Sequence, residues 1–363
     1  MAKPTLNQFN PDYAVPPGET LAETLAAVGM SQGNLAVRTG RPVKTISEII
    51  NGKAAITPDT AIQFERVLGI PAGFWNNLER NYQAAQAHAR ESEQLQDYVE
   101  WANQFPASVM LKHRWLNVWT TPVEKVKELL NFFGVVSPAQ WTKVWQSTVV
   151  NYRKSTAFKS DAPATAAWLR KGEIEAQQIQ CQSFDKARFV KALEQARNLT
   201  IEGPAVFEPR LRELCSAVGV AVVFIPDLPR TRVSGATRWL GEDKALIQLG
   251  LRYKTNDHVW FTFFHEAGHI LLHGKRDFFL ENDGEQDAAK ETEANRFAAD
   301  CLISPNDLRE ALRHGVPYSK EWINQFAQRL GIAPGIVVGR LQHDGHVPRS
   351  HCNDLKVKLM WNV

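Results

Sequence analysis

The residues of this 363-residue chain best suited to chemistry are His265, Glu266 and His269, within His265-Glu266-Ala267-Gly268-His269. On a helix, side chains four apart share a face, so two imidazoles at this spacing can bind one metal ion. A carboxylate between them lies beside the ion, where it can take a proton from a water held there. A catalytic zinc takes three protein ligands and keeps a fourth position open, so a third ligand has to come from elsewhere. Two core histidines with satisfied hydrogen bonds are the plainer alternative, but that reading leaves Glu266 unexplained.

Downstream, Glu291-Thr292-Glu293-Ala294-Asn295-Arg296-Phe297-Ala298-Ala299-Asp300 reads as a second helix, ended by Ser304-Pro305, with an apolar stripe through Ala294, Phe297, Ala298, Cys301 and Leu302. At about 100° per residue, Glu291 falls roughly 50° from the centre of the stripe and Glu293 roughly 110° away. Glu291 is therefore the preferred third ligand and Glu293 the alternative. Asn295, one turn beyond Glu291, is placed to hydrogen-bond and orient a ligand. His273 continues the four-residue spacing, but it falls at the helix end, where the dipole suits a histidine, and outside the ligand set. For the group that would stabilise an oxyanion, Arg238, Tyr253 and His258 are candidates only because they are polar and close in sequence.

Several elements must position these groups. Val259–Phe264 before the pentapeptide and Ile270–Leu272 after it make the helix apolar nearly all round, which predicts burial. Thr255, Asn256 and Asp257 offer caps at its start, and Gly274, Lys275 and Arg276 suit its end. Ala221–Ile225 reads as a strand, and Val233–Leu240 and Lys244–Leu249 resemble the sheet of a metallopeptidase family, which implies a small, mostly antiparallel sheet beside whose edge an extended peptide could add. Phe326–Pro334 and Val337–Leu341 imitate a helix-turn-helix and are read as packing elements of this same domain.

The segments HEAGHILLHG and E-x-x-A-N-x-F-A resemble the ImmA/IrrE metallopeptidases, whose architecture is that of a compact gluzincin, over about residues 165–345. The resemblance implies zinc held by His265, His269 and Glu291, and Glu266 as general base. It also implies a protein substrate, namely a helix-turn-helix repressor, in trans or this chain itself.

Residues 15–80 carry an independent signal. Pro17 and Glu19 start a first helix that Gly29 ends; Ser31 caps a second, closed by Thr39-Gly40; Pro42–Ile50 form a third, closed by Asn51-Gly52. Thr57-Pro58-Asp59 starts a fourth, and Pro71 opens a fifth with Phe74, Trp75 and Leu78 as its buried face. Leu35, Ala36, Ile46 and Ile49 are spaced to pack two short helices across the turn, which makes a helix-turn-helix. The stretch resembles the XRE-type proteins, and among them the HigA-like antitoxins, through PGETLAE, SQGNLA, IINGKAAIT and GFWNNLERNY. On that pattern Val43, Lys44, Thr45, Ser47 and Glu48 read base edges, while Gln32, Arg41, Asn51 and Lys53 hold phosphates. The implied partners are a double-stranded DNA operator bound by a homodimer, and a toxin.

Charge tempers this. Residues 1–90 hold eight Lys/Arg against seven Asp/Glu, and only 38–53, with Arg38, Arg41, Lys44 and Lys53 against Glu48, are locally basic. Phosphate attraction from one module is modest and salt-sensitive. The whole chain, at +3, is close to balanced. Its four cysteines are far apart with no C-x-x-C pair, which argues against a disulfide framework or a cysteine zinc site. The first residues lack a signal-peptide core and no apolar run reaches membrane-spanning length, so a reducing cytoplasm and no membrane partner are expected. Gln83–Gln104 reads as a polar helix and Pro122–Phe133 as an amphipathic one, while Trp101, Trp115, Trp119, Trp141 and Trp145 are read as packing rather than as a stacking platform for single strands.

The expected fold is an α-rich α+β chain: an all-α helix-turn-helix domain (12–90), a helical connector (91–164), a gluzincin-like metallopeptidase domain (165–345) and a tail (346–363). The expected function is a DNA-binding regulator joined to a zinc-dependent endopeptidase. The alternative is a HigA-like operator-binding antitoxin whose peptidase-like domain senses metal or ligand without proteolysis.

Overall fold

The computed structural model describes residues 15–146, 161–231, 233–250, 252, 254–273, 284–313 and 318–360. The chain divides into two compact units, Met1–Asp97 and Tyr98–Val363, and its architecture is α-rich α+β.

In the first unit, α1 (Pro17–Ala27), α2 (Gln32–Thr39), α3 (Val43–Ile50), α4 (Pro58–Leu68) and α5 (Ala72–Gln96) follow the punctuation of the sequence. The Ser31 hydroxyl accepts from Asn34 N, Thr57 accepts from Thr60 N, and Gly40 and Gly69 close α2 and α4 in the left-handed region. Leu21, Leu25, Leu35, Ala36, Ile46, Ile49, Ile56, Ala61, Phe64 and Trp75 form one core. Gly18 lets α1 touch the end of α3, since a Cβ there would lie 2.3 Å from the Ile49 carbonyl oxygen. Two expectations change. The polar helix read from Gln83 is the continuation of α5, because no Gly or Pro interrupts residues 74–96. Phe74 is exposed, its ring edge-on to the buried Trp75.

The second unit opens with α6 (Val99–Ala102), α7 (Ala107–Lys112), α8 (Pro122–Phe133) and α9 (Pro138–Trp141). A Thr121/Glu124 capping box starts α8. Trp101, Trp141 and Trp145 are buried among Phe105 and Phe133, whereas Trp115 and Trp119 are half-buried, Trp115 stacking on Phe132.

Beyond them lie α10 (Ala162–Gln178), α11 (Lys186–Asn198), α12 (Pro204–Ser216), β1 (Val220–Phe224), β2 (Gly235–Trp239), β3 (Ala245–Leu249), α13 (Asn256–Leu272), α14 (Gly284–Leu302), α15 (Pro305–Arg313), α16 (Lys320–Leu330) and α17 (Pro334–His343). The strand order is β1-β3-β2, with β1 parallel and β2 antiparallel to β3. The sheet is thus mixed rather than mostly antiparallel. Its cause is visible in β1 and β3, whose five residues are all buried because helices cover both faces, the environment in which parallel pairing occurs. On one face Val222, Phe224, Ile247 and Trp239 pack with Trp260, Phe263 and Phe264 of α13. On the other, Gln248 donates to the Trp168 carbonyl on α10 at 2.7 Å, and Trp168 Nε1 donates to Ile225 O at 3.3 Å. The helices α16 and α17 enter the core through Ile323, Phe326, Ile336, Val337 and Leu341, as packing elements.

The C-terminal segment clasps the start of α13. Asn256 N donates to Val357 O, Asn256 Oδ1 accepts from Val357 N at 3.0 Å, and Leu359 N donates to Lys254 O. Lys356 and Asp257 form an ion pair at 2.7 Å with side chains only 12% and 7% exposed.

Candidate metal centre and helix-turn-helix face

His265, Glu266 and His269 lie on α13 and His273 caps its end, while Glu291, Glu293 and Asn295 lie on α14. The two helices approach at small residues: a Cβ on Gly268 would stand 3.3 Å from the Ala294 Cα. This closeness brings Glu291 across to the imidazoles. His265 Nε2 and His269 Nε2 are 3.0 Å apart, and Glu291 oxygens lie 3.3 and 3.4 Å from them respectively. Among the described residues this is the one group of three such donors able to hold a metal ion. Tetrahedral zinc with bonds of about 2.0–2.1 Å places its donors roughly 3.3 Å apart, so the three residues fit such an ion.

The electrostatics agree with three donors facing one point. Burial opposes the Glu291 charge, but hydrogen bonds from His265 and His269 and their positive charge hold its carboxyl at about 2. Burial alone would push His265 down; the bond to Glu291 and the charges of Glu266 and Glu291 raise it instead. Glu266 is pushed up by burial, only partly offset by the two histidines.

Both rings are held from behind. His265 Nδ1 meets Asn295 Oδ1 at 3.0 Å, and His269 Nδ1 meets His273 Nδ1 at 2.9 Å. Glu293 is apart from the cluster, 64% exposed and 3.2 Å from His273 Nε2. The Glu266 side chain runs instead toward β2, where Gly235 makes room: a Cβ there would lie 2.7 Å from Glu266 Oε1 and 2.4 Å from Thr262 Cγ2. Sequence reading passed over Gly235, although a glycine inside a strand is itself a sign of close approach.

Of the oxyanion candidates, Arg238 lies on the opposite face of the sheet, paired with Glu173 at 2.8 Å and beside Trp145, because side chains alternate along β2 and Gly235 faces α13. His258 sits two turns before His265, about 10 Å along the helix. Tyr253 lies outside the described residues, as do Gly274, Lys275 and Arg276. Thr255 is the N-cap of α13 but makes no side-chain cap bond; Asn256 Oδ1 accepts from Asp257 N instead.

In the first unit, Val43 and Lys44 stand exposed at the start of α3, with Thr45, Ser47 and Glu48 half-buried along it. Lys44 pairs with Glu48 at 3.8 Å. Gln32 and Lys53 are exposed on either side in sequence, whereas Arg41 Nε donates to Gln63 and the Asn51 amide donates to Ser47 O at 2.7 Å.

Residues 21–75 match the HTH_3 helix-turn-helix family, and residues 215–342 match Peptidase_M78, the IrrE N-terminal-like domain. The uncharacterized HTH-type transcriptional regulator YddM of Escherichia coli (strain K12) is 32% identical over 71 residues, 20% of this chain and 76% of that protein. Two solved structures are similar over 23% of this chain. An addiction module antidote protein of the HigA family from Coxiella burnetii is 32% identical, with 92% of its chain covered and a TM-score of 0.22. The Pseudomonas aeruginosa antitoxin HigA with the higBA promoter is 31% identical, with 90% covered and a TM-score of 0.22.

Proposed function

Because the chain belongs to the helix-turn-helix transcriptional regulators and joins that domain to one of the Peptidase_M78 family, we propose that it is an operator-binding regulator whose C-terminal unit is a zinc-dependent endopeptidase. The observation that carries the enzymatic half is the spacing of the donors: His265 Nε2 and His269 Nε2 are 3.0 Å apart, and the two Glu291 oxygens lie 3.3 and 3.4 Å from them, one facing each ring. Zinc in that site would supply Lewis acidity toward a peptide carbonyl and toward a water.

The chain's own residues supply the rest. Glu266 is adjacent in sequence to the first donor and is not needed to complete the ligand set. A metal sensor requires only the three donors; an additional buried carboxylate, its proton affinity raised by burial, suits a group that takes and returns a proton. Its carboxylate takes a proton from the attacking water and returns it to the departing amine nitrogen. The strand β2 is one of the two edge strands of the sheet, and an extended peptide adding along it would pass Gly235 and the Glu266 carboxylate. Asn295 holds the His265 ring by accepting from Nδ1, which leaves Nε2 as the donor atom.

In the first unit, the N-terminal end of α3 enters the major groove, with Val43, Lys44 and Ser47 nearest the bases and Gln32, Arg41 and Lys53 toward phosphates. The weak net charge of this unit calls for a homodimer on a two-fold site. The substrate that suits a peptidase carried to DNA is a helix-turn-helix repressor, in trans or this chain itself, and the work takes place in the cytoplasm.

The test compares wild-type protein with Glu266→Gln in bacterial cells. Both should retain about one zinc per chain, and new protein N-termini found by mass spectrometry, including one in a helix-turn-helix regulator, should arise only with wild type. The same cleavage products from both proteins would refute the enzymatic reading.

A further inference from the structure

His269 is held by a residue outside the metal-binding and proton-transfer roles above. Its Nδ1 lies 2.9 Å from Nδ1 of His273, whose Nε2 lies 3.2 Å from Glu293 Oε2. His273 is 6% exposed and closes α13 as its C-cap residue, while Glu293 reaches in from the solvent side of α14. With His273 neutral, the protons in this chain follow from donor capacity. A carboxylate only accepts, so His273 Nε2 carries the hydrogen and donates to Glu293. A neutral His273 then presents a lone pair at Nδ1, and the facing His269 Nδ1 must be the donor. The lone pair of His269 is thereby confined to Nε2, the atom 3.0 Å from His265 Nε2 and 3.4 Å from Glu291.

We infer that His273 and Glu293 form a positioning relay that fixes the tautomer and ring orientation of His269 for metal binding, as Asn295 does for His265. The inference rests on the metal-site reading above and deepens it. It also gives Glu293 a role: at 64% exposed it anchors the relay from the surface, where its charge remains solvated. Such outer partners typically set metal affinity by about 10- to 100-fold.

The experiment uses the full chain and reads zinc affinity by competition with a chromophoric chelator, with Glu291→Ala as the reference for a lost ligand. Wild type should bind zinc, and Glu291→Ala should lose it. His273→Leu should weaken binding about 10- to 100-fold. His273→Asn places an amide oxygen where Nδ1 stood, so it should recover most of the affinity, and Glu293→Gln should fall between it and His273→Leu. In zinc-free protein, proton–nitrogen NMR should show His269 as the Nδ1–H tautomer in wild type and a shift toward Nε2–H in His273→Leu, a change that a purely structural role would not produce. An affinity of His273→Leu, or of Glu293→Gln if the leucine variant does not fold, equal to wild type would overturn the relay while leaving the metal site standing. Wild type that binds no zinc would overturn both.

Discussion

Gly235→Ala adds one methyl group where β2 crosses α13. In an open strand that change would help, since glycine is about 0.5–1 kcal/mol worse than alanine in a regular element. Here the new carbon would lie 2.4 Å from Thr262 Cγ2 and 2.7 Å from Glu266 Oε1. Non-bonded carbons sit about 3.5–4.0 Å apart, so the first contact is short by roughly 1 Å. Overpacking of this kind costs about 1–3 kcal/mol, which exceeds the propensity gain and leaves a net loss of about 1–2 kcal/mol. For a unit of this size that lowers Tm by about 2–4 °C. The same overlap pushes the Glu266 carboxylate aside, and a displacement of about 1 Å costs on the order of 100-fold in rate. None of the three metal donors is among the nearest contacts, so zinc content should be unchanged. Adding Thr262→Ser removes Cγ2 and should restore most of the melting temperature, yet the contact with Glu266 persists and cleavage should stay slow. Thermal melts, zinc content and the rate at which new N-termini appear separate the two effects. A single variant that melts higher than wild type, or cleaves as fast, would refute the close approach of β2 and Glu266.

Other outcomes follow from the same contacts. Burial pushes the Asp227 carboxyl up to about 6, so the fold favours its protonated form. That penalty is absent below about pH 4, grows as pH rises toward 6, and persists above it; solvent screening at this half-buried site limits it to about 1–2 kcal/mol. Asp227→Asn should therefore match wild type in thermal melts at pH 4 and melt about 2–4 °C higher at pH 7.5. Lys356→Ala leaves the Asp257 carboxylate buried and unpaired, and should cost the second unit about 3–5 kcal/mol in urea titrations, whereas Lys356→Met with Asp257→Leu should recover most of it. On an operator selected from random DNA, Lys44→Ala or Lys53→Ala should each lower the slope of log affinity against log salt by about 1, while Val43→Ala alters discrimination between bases and leaves the slope alone.

What could be read in advance was local. The caps Ser31 and Thr57 and the left-handed Gly40 act within four residues, and helical period put His265 and His269 on one face and favoured Glu291 over Glu293 on the next helix. What escaped was set by partners far along the chain. The parallel pairing of β1 with β3 depends on α10 and α13 covering both faces, and the contact of Gly235 with Thr262 and Glu266 decides which face of β2 meets α13, leaving Arg238 on the other one beside Glu173. The Glu293 carboxylate looked like a spare ligand until the relay gave it His273. Asn51 and Ser47 were assigned to DNA from their positions, but their mutual hydrogen bonds, invisible to a motif, also tie them to the end of α3.

The clasp on α13 imposes an order on manufacture. Asn256 and Val357 are 101 positions apart in the chain, yet they share hydrogen bonds at the first turn of the helix that carries both histidines. A ribosome that has released residue 300 has delivered His265, Glu266, His269 and Glu291, but not the segment that clasps the start of α13. Until Lys356–Leu359 emerge, Asp257 has no buried counterion and the helix start is open. The helix that carries both histidines is thereby left unsecured in a half-made chain, while the helix-turn-helix unit is finished some 260 residues earlier.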